Sequence, residues 1–308
     1  MGPQNPGFVV ATTCGTTTIT SQSDADALTS ACPTITGDVI LATNVASTIS
    51  LDGIQVITGS LTGGSCGSTC AAYSSLSSST LTSVSQNFTL EALPSITTIF
   101  FPQLKTVGGS FYLDSLPSLN NLSTSLSSAG QFHIVSAPIL YFVNFQSLNN
   151  LTGSSFILRD VPGIRTFTLN QALHVEYLEF SGANTSESVE FFLGEDSATL
   201  NIDVLNITGC WYIGIKGDLN VGTAIFSNNI GVVDLDLTSV KVSSNLTIVD
   251  NSDLSNLALP IDMSIPYIRI QNNAVEGRNI TGVSGPWPWG LKNMASVLLN
   301  GKFVTGFL

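Results

Sequence analysis

Two pairs of aspartates are the residues best spaced for chemistry in this chain: Asp234 with Asp236, and Asp250 with Asp253. Glycoside hydrolysis needs two carboxyl groups facing one groove, roughly 5 to 9.5 Å apart, and neighbouring positions on one strand face suit that spacing. Asp234 and Asp236 flank Leu235, so an inward leucine turns both carboxylates outward on one side. No histidine- or lysine-bearing motif accompanies them, and Lys241 reads equally well as a surface counter-ion. Asp250 falls at a corner and Asp253 precedes an inward Leu254, so turn and solvated-face roles explain both pairs better than catalysis. The two histidines, His133 and His174, have no cysteine or carboxylate at ligand spacing and make no metal site. There is also no Gly-x-Ser-x-Gly elbow, phosphate loop or dinucleotide fingerprint. The expectation is a chain with no catalytic residue, no metal and no cofactor.

What would position any site is a repeated cadence: an apolar residue, another two later, then a small or turn-forming residue two after that. Phe88, Leu90 and Ala92 set the phrase, which returns at Phe111, Phe132, Phe156, Leu178, Leu205, Ala224, Leu246 and Ile268. The starts are 23, 21, 24, 22, 27, 19, 22 and 22 residues apart. A unit that short cannot bury its own apolar face, so the period predicts an all-β parallel β-helix, a leucine-rich-repeat-like solenoid of stacked coils. Within each coil the first two apolar residues face inward, and Asp, Asn, Gly and Ser fill most corners. Apolar residues return eight and eleven positions on, as Ile96 and Ile99 do, and Pro94, Pro117, Pro138 and Pro162 mark a corner at the sixth position. The fifth position becomes Asn229, Asn251 and Asn273 in three consecutive coils, where an asparagine ladder would let stacked amides satisfy one another.

The cadence also sorts the outward residues. Thr89, Tyr112, His133, Ile157, Glu179, Asn206, Ile225, Thr247 and Arg269 form one strip, joined by Tyr177 and Tyr267 on the preceding outward position. A flat strip with interspersed aromatics suits sugar rings or a protein partner; an ordinary β-face has the same pattern. Trp287 and Trp289, in Pro286-Trp-Pro-Trp-Gly290, suit either recognition or packing over the C-terminal end.

Charged residues make up only 10% of the chain, against a usual ~25%, and 21 acidic against 9 basic residues leave a net charge of -12. That balance argues against nucleic acid and anionic lipid as partners, and no stretch approaches the ~20 apolar residues of a membrane span. Hydrophobic residues at 43% are ample for a core. Cys14 and Cys32 bracket a short helix starting at Ser21, and Cys66 and Cys70 lie in a Gly/Ser loop; both pairs read as local disulfides of an N-terminal cap. Cys210 takes the slot of Leu93, Leu116 and Val161 and reads as a buried, inert thiol. Glycosylation sequons occur at Asn87, Asn121, Asn150, Asn184, Asn206, Asn245 and Asn279, and alternation points Asn87, Asn206 and Asn245 outward. Sequons and disulfides together favour an extracellular setting.

The expected organisation is a disordered segment over 1–13 and one solenoid over 14–308. The latter has a cap and first coils over 14–70, a Ser-rich loop over 71–86 and a Trp/Pro loop over 277–290. No signal peptide is visible, and the cadence restarting at Val297 stops at Leu308, as though the chain were C-terminally incomplete.

The blocks Ser21-Gln-Ser-Asp-Ala-Asp-Ala-Leu28 and Cys32-Pro-Thr-Ile-Thr-Gly-Asp-Val39 follow Cys14. They lead into Leu51-Asp-Gly-Ile54, Ile57-Thr-Gly-Ser-Leu61 and Phe101-Pro-Gln-Leu-Lys-Thr-Val-Gly-Gly109. In these the chain resembles the fungal GPI-anchored cell-wall organisation proteins, whose extracellular part is similar to receptor L domains. The resemblance covers most of Cys14 to about Phe303. It implies a secreted, glycosylated right-handed β-helix at the cell surface or wall, needed for wall integrity, with a lipid anchor implied by the family alone. The function expected is a non-enzymatic wall glycoprotein interacting with glycan or surface proteins. The alternatives are a secreted polysaccharide-degrading β-helix and a receptor-like ligand-binding module.

Overall fold

The computed structural model describes residues 14–42, 47–64, 73–141, 143, 147–164, 166–169, 174–182, 188–193, 199–259, 265–273, 280–281, 296–299 and 302–304. Expectations for residues 1–13, Cys66, Cys70, Asn184, Asn279 and the loop with Trp287 and Trp289 lie outside them.

The cadence becomes a parallel stack. The strands Phe88–Glu91, Thr106–Asp114, Ser128–Val135, Asn150–Arg159, His174–Ser181, Leu200–Thr208, Leu219–Ser227, Val240–Val249 and Tyr267–Gln271 pair in order within one large sheet. Register follows the phrase: Phe111 lies opposite Phe88 and Phe132, Leu205 opposite Leu178 and Ala224. Shorter strands on other sides of the coil make three smaller parallel sheets, one of which runs Ser47–Ser50, Tyr73–Ser77, Thr98–Phe101, Asn121–Thr124. Both cadence positions are buried in every one of these nine coils. Phenylalanine rings stack along four of them, with centroids 4.9 to 5.0 Å apart, a spacing set by the strand separation of about 4.8 Å.

Corners explain the third residue of the phrase. Ala92, Ser115, Ser136, Asp160, Asn228, Asp250 and Asn272 all have φ between 50° and 59°, and Gly209 has 67°. This left-handed turn strains most side chains, and Asn, Asp and Gly adopt it most readily. Gly182 departs from the pattern, since its φ is not in that region. A second kink lies at the start of the main strand, where register shifts between Val107 and Ser110 and between Ala129 and Gln131. A Cβ on Gly130 would come within 2.6 Å of Gly109 O, and one on Gly153 within 2.8 Å of Gly130 O, so neighbouring backbone leaves no room for a side chain in this bend.

The N-terminal cap follows the sequence closely. The helix Gln22–Ala31 starts at Ser21, whose hydroxyl accepts from Asp24 N at 3.2 Å. Asp24 lies in its acidic first turn, and Cys14 and Cys32 form a disulfide. Over 73–86 the structure differs from the Ser-rich loop expected over 71–86. Tyr73–Ser77 and Ser83–Val84 are strands paired to the coils on either side, and Tyr73, Leu76, Leu81 and Val84 are buried. Serine at outward positions lowers the hydropathy of this coil without changing its inward pattern, which hid it.

The asparagine ladder forms as the fifth positions predict. Asn229 Oδ1 accepts from Cys210 N, Asn251 Oδ1 from Asn229 N and Nδ2, and Asn273 Oδ1 from Asn251 N and Nδ2, all at 2.9 to 3.0 Å. Each amide then donates back to a strand-end carbonyl, Ile207 O, Phe226 O and Ile248 O in turn. Burial is affordable here because every polar group finds a partner. Cys210 heads the ladder, buried, and burial pushes its thiol pKa well up, which keeps it protonated.

Candidate functional site

The outward face of the main sheet holds the strip expected from the cadence, in register. Thr89, Tyr112, His133, Ile157, Glu179, Asn206, Ile225, Thr247 and Arg269 face one another across successive strand pairs. Its members are half-buried rather than free, Glu179 excepted, which is buried at 5% exposure. Neighbours about 4.8 Å above and below cover the flanks of every side chain and leave its tip in water.

The middle of the strip holds two neighbouring groups of engaged side chains. Arg159, two positions past Ile157, donates from Nε and Nη2 to the two carboxylate oxygens of Glu179 at 2.6 and 2.7 Å. Tyr177 OH donates to Glu179 Oε2 at 2.9 Å and accepts from Asn206 Nδ2 at 3.3 Å. His133 Nε2 meets Ser155 Oγ at 2.7 Å, and its ring packs edge-on against Tyr112, whose hydroxyl donates to Asp114 at 3.2 Å. The bidentate arginine holds the Glu179 carboxyl below its usual pKa, against the opposing effect of burial. Burial holds the His133 imidazole below its ordinary pKa, helped by the Arg159 charge, and burial raises both tyrosines. The cluster is therefore a fixed plate at neutral pH, presenting a neutral imidazole, two phenols and the half-exposed edge of a guanidinium.

His133 points outward as expected and is half-buried, and Glu179 spends its carboxylate on Arg159 and Tyr177. Arg159 and Asp114 were missed as members. The available signal was a charged residue two positions past the strip in a chain with only 9 basic residues. Tyr267 and Arg269 sit four coils away at the far end, where Arg269 donates to Gln271.

The carboxylate pairs are engaged as turn and ladder residues. Asp234 Oδ1 accepts from Asn256 Nδ2, and Asp236 Oδ1 accepts from Thr238 N and Oγ1 at 2.9 and 2.7 Å. Asp250 sits in a left-handed corner and accepts from Asn272 Nδ2, while Asp253 accepts from Gly231 N. Among the described residues no group of three His, Cys, Asp or Glu is arranged to hold a metal, and no helix is long and apolar enough to cross a membrane. Of the sequons, Asn87, Asn121 and Asn150 are exposed, whereas Asn206 and Asn245 are half-buried within the outward face.

Comparison with known proteins agrees with the residues. The family model Ecm33, described as a GPI-anchored cell wall organization protein, matches residues 5–29. Protein ecm33 of Aspergillus fumigatus is 27% identical over 281 residues, covering 82% of this chain and 62% of that protein. Cell wall protein ecm33 of Schizosaccharomyces pombe is 21% identical over 177 residues, covering 54% of this chain and 38% of that protein. The chain thus spans about three fifths of the first relative's length and less of the second's. No solved structure matches significantly. At its N-terminus and along most of its length the chain is thus similar to fungal proteins described as, or named for, cell-wall organisation.

Proposed function

We propose that the solenoid contributes to wall organisation without catalysis, by using its outward strip as a contact surface for wall glycan or neighbouring surface proteins. The observation that carries this reading is the cluster around Tyr112, His133, Tyr177, Glu179 and Arg159. These polar and aromatic groups are locked by one another before any partner arrives. Side chains ordered in advance lose little entropy on binding, so a face of this kind turns contact area into affinity efficiently. Tyrosine and arginine are also the residue types that contribute most at interfaces. The engagement of Asp234, Asp236, Asp250 and Asp253 in turns and ladders supports a non-catalytic role. N-linked glycans on the seven sequons belong to the same proposal, with exposed Asn87, Asn121 and Asn150 the easiest to accommodate.

Retention of the secreted protein on isolated cell walls tests it. The triple variant Tyr112→Ala, Tyr267→Ala, Arg269→Ala alters both ends of the strip and leaves the Arg159–Glu179 pair in place. Truncation of two or three anchor residues costs about 1–2 kcal/mol each, so retention should fall at least tenfold with the circular dichroism unchanged. Undiminished retention would remove the strip from the function.

A further inference from the structure

A second outward face, separated from the strip by the kink at the start of the main strand, carries a polar groove of about 300 Å³. Its long side is a column set by register, with Asn220 opposite Asn201 and Lys241 opposite Asn220, and His174 continues the column beyond the groove, opposite Asn201. All four side chains are exposed. The other side runs through Asp203, Gly222 and Ser243. Gly222 keeps the wall flat at its middle, where backbone already fills the space and a Cβ would come within 2.6 Å of Asp203 O. Two contacts hold the groove in shape: His174 Nε2 to Asp203 Oδ1 at 2.9 Å, and Asn220 Nδ2 to Asn201 Oδ1 at 3.0 Å.

We propose that this groove binds a linear, uncharged glycan in extended β-1,4-linked form, laid along the solenoid axis with about one hexopyranose ring per coil. Three coils spaced by about 4.8 Å give a track of about 10 Å, the span of two to three sugar rings. An extended β-1,4-linked chain advances by close to one strand spacing per ring, so each ring meets the same pair of positions. A coiled β-1,3-linked chain drifts out of that register. The chemistry fits hydroxyl groups: Asn201 and Asn220 both donate and accept, Ser243 does the same, and Lys241 donates. Charge selects against acidic sugars. The groove sets Asp203 against His174 and Lys241 so that neither sign dominates, and the chain as a whole carries -12.

The proposal takes from the wall reading only the setting that supplies such a glycan, and the strip and the groove fail separately. Titration calorimetry on the full chain would compare tetramers of β-1,4-linked N-acetylglucosamine, β-1,3-linked glucose and α-1,4-linked galacturonic acid. The first should bind, and the other two at least tenfold more weakly. Asn220→Ala and Lys241→Ala each remove a net hydrogen bond of about 0.5–1.5 kcal/mol, and so weaken the β-1,4 tetramer about 2- to 12-fold. The variant Tyr141→Ala, at an exposed tyrosine outside both the strip and the groove, should bind it unchanged. No binding of the β-1,4 tetramer, equal binding of the β-1,3 tetramer, undiminished binding by both groove variants, or loss of binding in Tyr141→Ala would each overturn the proposal.

Discussion

Replacing Asn251 with leucine should cost the solenoid about 3–5 kcal/mol, although leucine fills the equivalent slot at Leu93 and Leu116. The buried Asn229 N–H loses the Oδ1 it donates to, Asn229 Nδ2 loses one of its two acceptors, and Phe226 O loses the Asn251 amide. Each buried polar group left unpaired costs about 1–3 kcal/mol, and the space itself suits either side chain. Replacing Asn229, Asn251 and Asn273 together should therefore cost less than the sum of the three single changes. The backbone can then adopt the leucine-coil solution, in which Leu116 N donates directly to Ser136 O. Urea unfolding followed by circular dichroism measures the cost, and hydrogen exchange should place the loss in the coils around Asn229 and Asn251. A change within about 1 kcal/mol would mean that the ladder contributes little beyond filling space.

The second large effect is at the strip. Arg159→Met should destabilise by about 2–3 kcal/mol, because it leaves the Glu179 carboxylate buried with Tyr177 OH as its remaining donor. Breaking a fully buried pair typically costs about 3–5 kcal/mol; Arg159 keeps 47% of its side chain exposed, which reduces the figure. The pH dependence carries the sign. In the native protein Glu179 has a folded pKa below its unfolded value, so its contribution is complete above the ordinary carboxylate range. It is lost as pH falls through the lowered folded value. In the variant the arginine is gone and burial raises the carboxyl instead, so acidification from pH 7 to about pH 5 should stabilise it relative to the native protein. Urea midpoints at the two pH values read this directly, and parallel profiles would contradict it.

Much of this fold was legible because one register governs it. Once Phe88, Phe111 and Phe132 share a phase, the corners, the asparagine slot and the outward strip follow by counting. Short-range chemistry was equally visible: the Ser21 cap and the Cys14–Cys32 bridge depend on residues within one turn or one coil. What resisted was whatever depends on coils of unequal length. His174, Asn201, Asn220 and Lys241 are 27, 19 and 21 residues apart; the first two spacings equal those of the cadence, and the last differs by one because register shifts between Val221 and Thr223. The Arg159–Glu179 pair joins two coils and two different outward columns, so alternation within one strand gives no hint of it. The coil at Tyr73–Ser77 was obscured for a simpler reason: serine is compatible with a strand face but is also typical of loops.

The proposed contact through the outward strip and carboxylate catalysis by Asp234 and Asp236 predict opposite outcomes in one comparison. The most direct measurement is rescue of wall-stress sensitivity in a fungal strain lacking the protein, with two full-length variants compared side by side. The variant Asp234→Asn with Asp236→Asn should rescue as well as the native protein. The variant Tyr112→Ala, Tyr267→Ala, Arg269→Ala, secreted at the same level, should not. Rescue by the strip variant together with failure of the aspartate variant would contradict the account and return the chain to the polysaccharide-degrading class.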